Sequence, residues 1–149
     1  MMECYRITTE EQLQQAFAIR KEVFVEEQNV PVEEEIDEFD ASVEACRHFL
    51  ALADDGTPIG ASRWREYEPG TAKLQRIAVL ERYRGTGAGK LLVLSMEKDA
   101  AQMGYHRSIL DAQCSAEQFY RKLGYATIST EPFLDAGIEH VRMSKDITG

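Results

Sequence analysis

The run Arg84-Gly85-Thr86-Gly87-Ala88-Gly89-Lys90 constrains this chain more than any other stretch. A short apolar strand pattern, Leu74 to Val79, leads into it. A helical pattern opens at Lys90 and Leu91 and runs to about Met103. Glycines between a strand and a helix N-terminus leave backbone N–H groups pointing outward without partners, at the positive end of the helix dipole. They also permit a sharp turn and the close approach of a ligand. The loop therefore predicts a phosphate or pyrophosphate site.

Spacing excludes the familiar nucleotide loops. A P-loop ending at Gly89-Lys90 needs glycine where Arg84 stands and Ser or Thr where Leu91 stands. The dinucleotide pattern G-x-G-x-x-G places its third glycine at Lys90 or at Leu92, according to where it starts. An ATP-binding reading of the loop is therefore disfavoured. What remains is Arg84-x-x-Gly87-x-Gly89.

That motif resembles the acyl-CoA pyrophosphate loop of the GNAT superfamily of N-acyltransferases. Further along, Ala116-x-x-Phe119-Tyr120-x-x-Leu123-Gly124-Tyr125 resembles the second signature of that superfamily, in the expected order. Arg20-x-x-Val23-Phe24-Val25-x-Glu27-Gln28 and Gly137-Ile138-x-His140-Val141-x-Met143 resemble the ElaA-like branch. The resemblance covers the chain from about Ile19 to Met143. It implies an N-acetyltransferase that moves an acetyl group from acetyl-CoA to a primary amine, on a small molecule or a peptide, by direct attack. The competing class is a non-catalytic acyl-CoA-binding module.

The resemblance also implies roles. The loop Arg84, Gly85, Thr86, Gly87, Ala88, Gly89 and Lys90 would hold the CoA pyrophosphate, chiefly through backbone amides. The backbone of Ile77, Ala78 and Val79 would pair with the pantetheine arm as if it were an added strand. Tyr120 would lie beside the CoA sulfur and give its proton to the departing thiolate, with Phe119 next to it at the cofactor. Read without the resemblance, Phe119-Tyr120 is a packed aromatic pair on a short helix. Gln113, at a strand end where many GNAT-like proteins carry asparagine, would hydrogen-bond the cofactor or the acceptor. Glu27, Glu35 and His140 are the candidates for the base that deprotonates the amine. Cys114 offers a rival acyl-cysteine route, but no histidine lies near it in sequence.

Composition bounds the rest. A chain of 149 residues, 44% hydrophobic and 29% charged, suggests one globular domain over residues 1–149. A net charge of −9 argues against nucleic acid as a partner. Cys4, Cys46 and Cys114 are odd in number and form no C-x-x-C. No disulfide framework or zinc site is expected, and the three scattered histidines suggest no metal. An N-terminus without an apolar leader core and the lack of a membrane-length apolar run point to the cytoplasm. The sequence does not give the oligomeric state; a homodimer through the C-terminal strands is compatible with it.

Along the chain, Cys4–Ile7 reads as a first strand, and Thr8-x-x-Glu11 as a capping box. Leu13, Ala16, Phe17, Val23 and Phe24 follow helical spacing. Arg20 lies on that apolar stripe, so it snorkels outward or pairs with a carboxylate. The acidic run Glu33 to Asp40 lacks the glycine of a calcium loop. It reads as a solvated loop or as part of the acceptor site. His48–Ala53, Ile59–Arg65, Ala72–Val79, Arg107–Ala112, Tyr125–Thr130 and Ile138–Lys145 are strand patterns. Ser115 is expected to cap a short helix ending at Leu123. Alternating strands and helices give an α/β (α+β) chain. With the resemblance, this becomes a GNAT-like mixed, mostly antiparallel sheet flanked by helices and splayed at the acyl-CoA site.

Overall fold

The computed structural model describes residues 1–148. β1 (Glu3–Arg6) leads into α1 (Glu10–Arg20), which continues through a π-helical segment, Lys21–Glu27. α2 is short (Val32–Glu35). β2 (Arg47–Leu52), β3 (Pro58–Glu68) and β4 (Thr71–Val79) follow, then α3 (Ala88–Gln102), β5 (Arg107–Gln113) and α4 (Glu117–Lys122). The chain closes with β6 (Ala126–Thr127), β7 (Phe133–Asp135) and β8 (Ile138–Asp146). These strands form one eight-stranded sheet in the order β1-β2-β3-β4-β5-β8-β6, with β7 also on β8. Every pairing is antiparallel except β4 with β5.

Strand alternation sorts the core into two layers. On one face α1 buries Leu13, Ala16, Ile19 and the following Val23 with Leu50, Ala61 and Ala78. On the other, α3 buries Leu92, Val93 and Met96 with Trp64, Leu74, Leu110 and Met143. Ala61 and Trp64 fall in different layers, as their opposite parity on β3 requires.

The feature that makes a site is an interruption of the sheet. β4 and β5 pair only from Thr71 with Arg107 to Leu74 with Leu110. Past Leu74, β4 runs on to Val79 and β5 to Gln113 with no pairing between them. A bulge bends β4 at this point. Opposite β3 its register slips by one residue between Gln75 and Ala78, and Arg76 adopts a φ of 55°. A bulky residue in the left-handed region costs about 1–3 kcal/mol and persists only where its surroundings enforce it. Here the Arg76 guanidinium donates to the carbonyls of Glu35 (3.2 Å) and Glu34 (3.3 Å), which ties the bulge to α2.

Several local expectations need correcting. The capping box lies one residue later than Thr8/Glu11. Thr9 Oγ1 accepts from the Gln12 amide, and Gln12 Oε1 accepts from the Thr9 amide. α3 begins at Ala88 rather than Lys90, which makes Gly87 its cap. Ser115 caps nothing: it lies inside a 3₁₀ turn, Cys114–Ala116, and α4 starts without a side-chain cap. The Tyr125–Thr130 strand shrinks to Ala126–Thr127, while Phe133–Asp135, outside the strand patterns, pairs with β8.

The acidic run is neither irregular nor merely solvated. Asp40 accepts from both Arg20 (2.7 and 2.9 Å) and Arg63 (2.8 Å), and Asp37 takes two 2.7 Å bonds from Arg63. Arg20 and Arg63 are almost fully buried. Of the alternatives for Arg20, carboxylate pairing holds, and the run packs down on the α1 face of the sheet.

Candidate functional site

Parting of β4 from β5 opens a cavity of about 620 Å³. It runs from the glycine loop, past β4 and β5, to α2 and the β7–β8 turn. Both ends carry residues singled out from sequence.

At the loop end, Gly85 and Gly87 have φ of 80° and 97°. This left-handed backbone turns the chain into α3, whose first turn has no side-chain cap. Its leading N–H groups are open to a ligand, in the positive field of a fifteen-residue helix. Gly89 has a different reason to be glycine. A Cβ there would lie 3.2 Å from the Phe119 ring, so the helix start packs directly on α4. Ala88 is buried, whereas Thr86 is exposed and bonds the Tyr83 carbonyl through its hydroxyl (2.5 Å). Lys90 lines the cavity.

Arg84 serves the loop as a latch. Its Nη atoms donate to both carboxylate oxygens of Glu27, at 2.6 and 2.9 Å, and its Nε donates to the Val79 carbonyl at 3.1 Å. Glu27 is thereby committed to an ion pair and does not line the cavity. Leu80 N–H donates back to Ile59 on β3. Alternation then turns the amides of Ile77 and Val79 toward the gap, and that of Ala78 toward β3. The gap-facing edge of β4 is what an extended ligand could pair with, apart from the Val79 carbonyl that Arg84 has taken.

Tyr120 stands in the middle. It is only 8% exposed, lies against Phe119 and Tyr125 at ring separations of 5.0 and 6.0 Å, and lines the cavity. Its hydroxyl makes no hydrogen bond among the described residues. Burial pushes the phenol well above its ordinary range, so it stays a neutral proton donor.

Gln113, at the tip of β5, donates through Nε2 to Gln28 Oε1 at 2.8 Å, and both line the cavity. His140 is the register partner of Gln113 on β8. Its Nδ1 lies 2.7 Å from the Ile138 carbonyl. A carbonyl can only accept, so Nδ1 carries a proton, which in the neutral ring leaves the lone pair on Nε2. Phe133 stacks on the ring, fixing its plane.

Glu35 lines the cavity too, but is 3% exposed and held by Arg20 Nε at 2.8 Å. Burial raises its carboxyl and outweighs the pull of Arg20 and Arg76. Cys114 is not among the cavity-lining residues. No group of three His, Cys, Asp or Glu among the described residues could hold a metal ion, and no described helix is long and apolar enough to cross a membrane.

Sequence reasoning missed Gln28, Lys73, Arg76 and Asp111, all of which line the cavity. Gln28 sits in the same run as Glu27 and was legible only as a motif member. Lys73 and Asp111 meet only because β4 and β5 are neighbours in the sheet.

The splayed mixed sheet thus carries a glycine loop and a buried tyrosine on one cleft. The family model described as an acetyltransferase (GNAT) domain matches residues 7–147, and the chain belongs to this family of acetyltransferases. An uncharacterized N-acetyltransferase of Bacillus subtilis, YjcF, is 48% identical over 92% of this chain and 94% of its own length. Among solved structures, Escherichia coli ElaA superposes with a TM-score of 0.83 at 25% identity, over 98% of this chain and 100% of ElaA. An N-acetyltransferase from Thermoplasma acidophilum, solved in complex with coenzyme A, shares the fold with a TM-score of 0.72 at 21% identity, over 98% of this chain and 99% of that one.

Proposed function

We propose that the chain transfers an acetyl group from acetyl-CoA to a primary amine by direct attack. The observation that carries this reading is one cavity holding three features: the uncapped N-terminus of α3, the unpaired edge of β4, and the buried, neutral Tyr120. Acyl transfer needs an anion cradle for the donor, amides to align its arm, and an acid for the leaving thiolate. The related fold solved with coenzyme A supports the choice of donor.

Amides of the loop and the start of α3 bind the pyrophosphate, and the Ile77 and Val79 amides face the arm. His140 is the favoured base. Its Nε2 takes a proton from the amine, while Glu27 and Glu35 are engaged by arginines. Nitrogen attacks the thioester carbonyl, the new C–N bond forms, and the C–S bond breaks. Tyr120 donates its proton to sulfur, and recovers one from the histidinium through solvent before the next turnover. Free Cys4, Cys46 and Cys114 agree with a reducing cytoplasm.

Calorimetric titration of wild type and Gly87→Glu with acetyl-CoA, beside ATP–Mg²⁺, tests the donor. Expected is micromolar acetyl-CoA binding, about −8 kcal/mol, lost in the variant and absent for ATP. Well-folded wild type that ignores acetyl-CoA would overturn the reading.

A further inference from the structure

At the apex of the splay, Lys73 and Asp111 flank the last paired step of β4 and β5, Leu74 with Leu110. Both side chains are largely buried, 14% and 15% exposed, and both line the cavity. Asp111 faces Arg142, its register partner on β8. Arg142 engages both carboxylate oxygens, with Nε to Oδ1 at 2.8 Å and Nη2 to Oδ2 at 3.1 Å. Lys73 has only a share of that carboxylate. Its one ion-pair contact among the described residues is Oδ2 at 3.4 Å. Both cations also lie over the ring of Tyr67, at 5.6 and 5.4 Å. Two cations thus share a single carboxylate, which leaves a surplus positive charge on the floor of a partly desolvated cleft. An ammonium with three donors and one distant acceptor is under-satisfied.

The opposite sign lies at the rim. Glu34 and Asp135 line the same cavity, and neither forms an ion pair among the described residues. His140 and Arg142 stand two residues apart on one face of β8, roughly 7 Å. A positive floor, a negative rim and a base one strand-step away suit a ligand that is both cation and anion over a short chain.

We propose that the acceptor is an amine that also carries a carboxylate, an amino acid or a close analogue, whose carboxylate is held by Lys73. This inference rests on the acyl-transfer reading above. Such a zwitterion has no net charge, so the acidic protein as a whole does not repel it. Its ammonium is drawn to the rim, where it gives one proton to water; His140 takes the second as the nitrogen attacks. Lys73 is then a specificity-determining residue and plays no part in the bond-making step.

The test reads binding and turnover separately. The CoA-bound protein is titrated with N-acetylamino acids of small to large side chain and with their primary amides, which differ only in the anion. In parallel, the free amino acids and their amides are offered as acceptors. Expected is at least a tenfold preference for the carboxylate forms, in Kd of the product and in kcat/KM of the acceptor. The preference should vanish in Lys73→Gln and return in Lys73→Arg. Acetylation of amides as readily as of acids, or an undiminished preference in Lys73→Gln, would overturn the inference and leave acyl transfer standing. Carboxylate-selective binding without transfer to any amine would support the Lys73 site and overturn the acyl-transfer reading.

Discussion

Gln113, at the free tip of β5, donates a 2.8 Å hydrogen bond to Gln28, at the end of the π-helical segment after α1. One residue earlier, Glu27 holds Arg84 beyond the end of β4. The dipeptide therefore bridges the two strands where they have separated, and a seam the backbone leaves open is tied by side chains. Gln28 and Gln113 both line the cavity that this gap opens.

Gln28→Ala should release acetyl-CoA faster without changing which ligand binds. A single neutral hydrogen bond contributes about 0.5–1.5 kcal/mol, so dissociation should accelerate by up to about tenfold. Stopped-flow release of bound donor measures this. An unchanged rate would mean that the bridge is incidental to the groove.

Tyr120→Phe removes the only atom that separates an acid from a spectator ring. General acid catalysis is worth about 10²- to 10⁴-fold, so kcat should fall into that range while Kd for acetyl-CoA stays within about twofold. Steady-state kinetics and calorimetry on the same preparation separate the two. Full turnover in the variant would remove Tyr120 from the chemistry, and loss of affinity equal to the loss of rate would make it a binding residue.

Arg63→Met should destabilise the fold by about 3–5 kcal/mol, because it leaves Asp40 buried beside a deficit of positive charge. Urea unfolding at neutral pH reads it directly. The loss should shrink when Asp37 and Asp40 are changed to Asn in the same chain. If the single change costs less than about 1 kcal/mol, the network is ornamental to stability.

Stability should decline as pH falls, in two stages. Burial holds His48 below its ordinary range, only partly countered by its bond to the Phe39 carbonyl and by nearby Asp40. A histidine depressed in the fold contributes stability above its unfolded value, about 6.5, and loses it as acid charges the ring. Burial raises Asp37 and Asp40, but Arg63 and the Phe39 amide at Asp37, and Arg20 and Arg63 at Asp40, outweigh it and hold both below the usual carboxylate range. Their contribution is full above about pH 4 and is lost progressively as pH falls below it toward their depressed folded-state values. Glu35, raised by burial, acts in the opposite sense and offsets part of the second stage. Urea midpoints from pH 8 to pH 3 should show the first step and the onset of the second, with the first absent in His48→Gln.

Residues close together in the chain were readable because their chemistry is local. Glycine spacing in Arg84–Lys90 is dictated by backbone dihedrals and by the start of one helix. Phe119-Tyr120 sits within a single helical turn. Alternation along the Ile59–Arg65 pattern by itself puts Ala61 and Trp64 on opposite faces. Arg20 announced its need for a partner by lying on an apolar stripe, but its choice of Glu35 and Asp40 required the acidic run to fold back on the sheet. Tertiary structure alone decided the rest. Gln28 meets Gln113 across 85 positions, Arg63 meets Asp37 across 26, and Lys73 joins Asp111 and Arg142 only because β4, β5 and β8 are neighbours. A one-residue slip at the Arg76 bulge sets where β4 leaves β5. Register of this kind is a property of the assembled sheet, and no local pattern in a strand encodes which residue its neighbour will present.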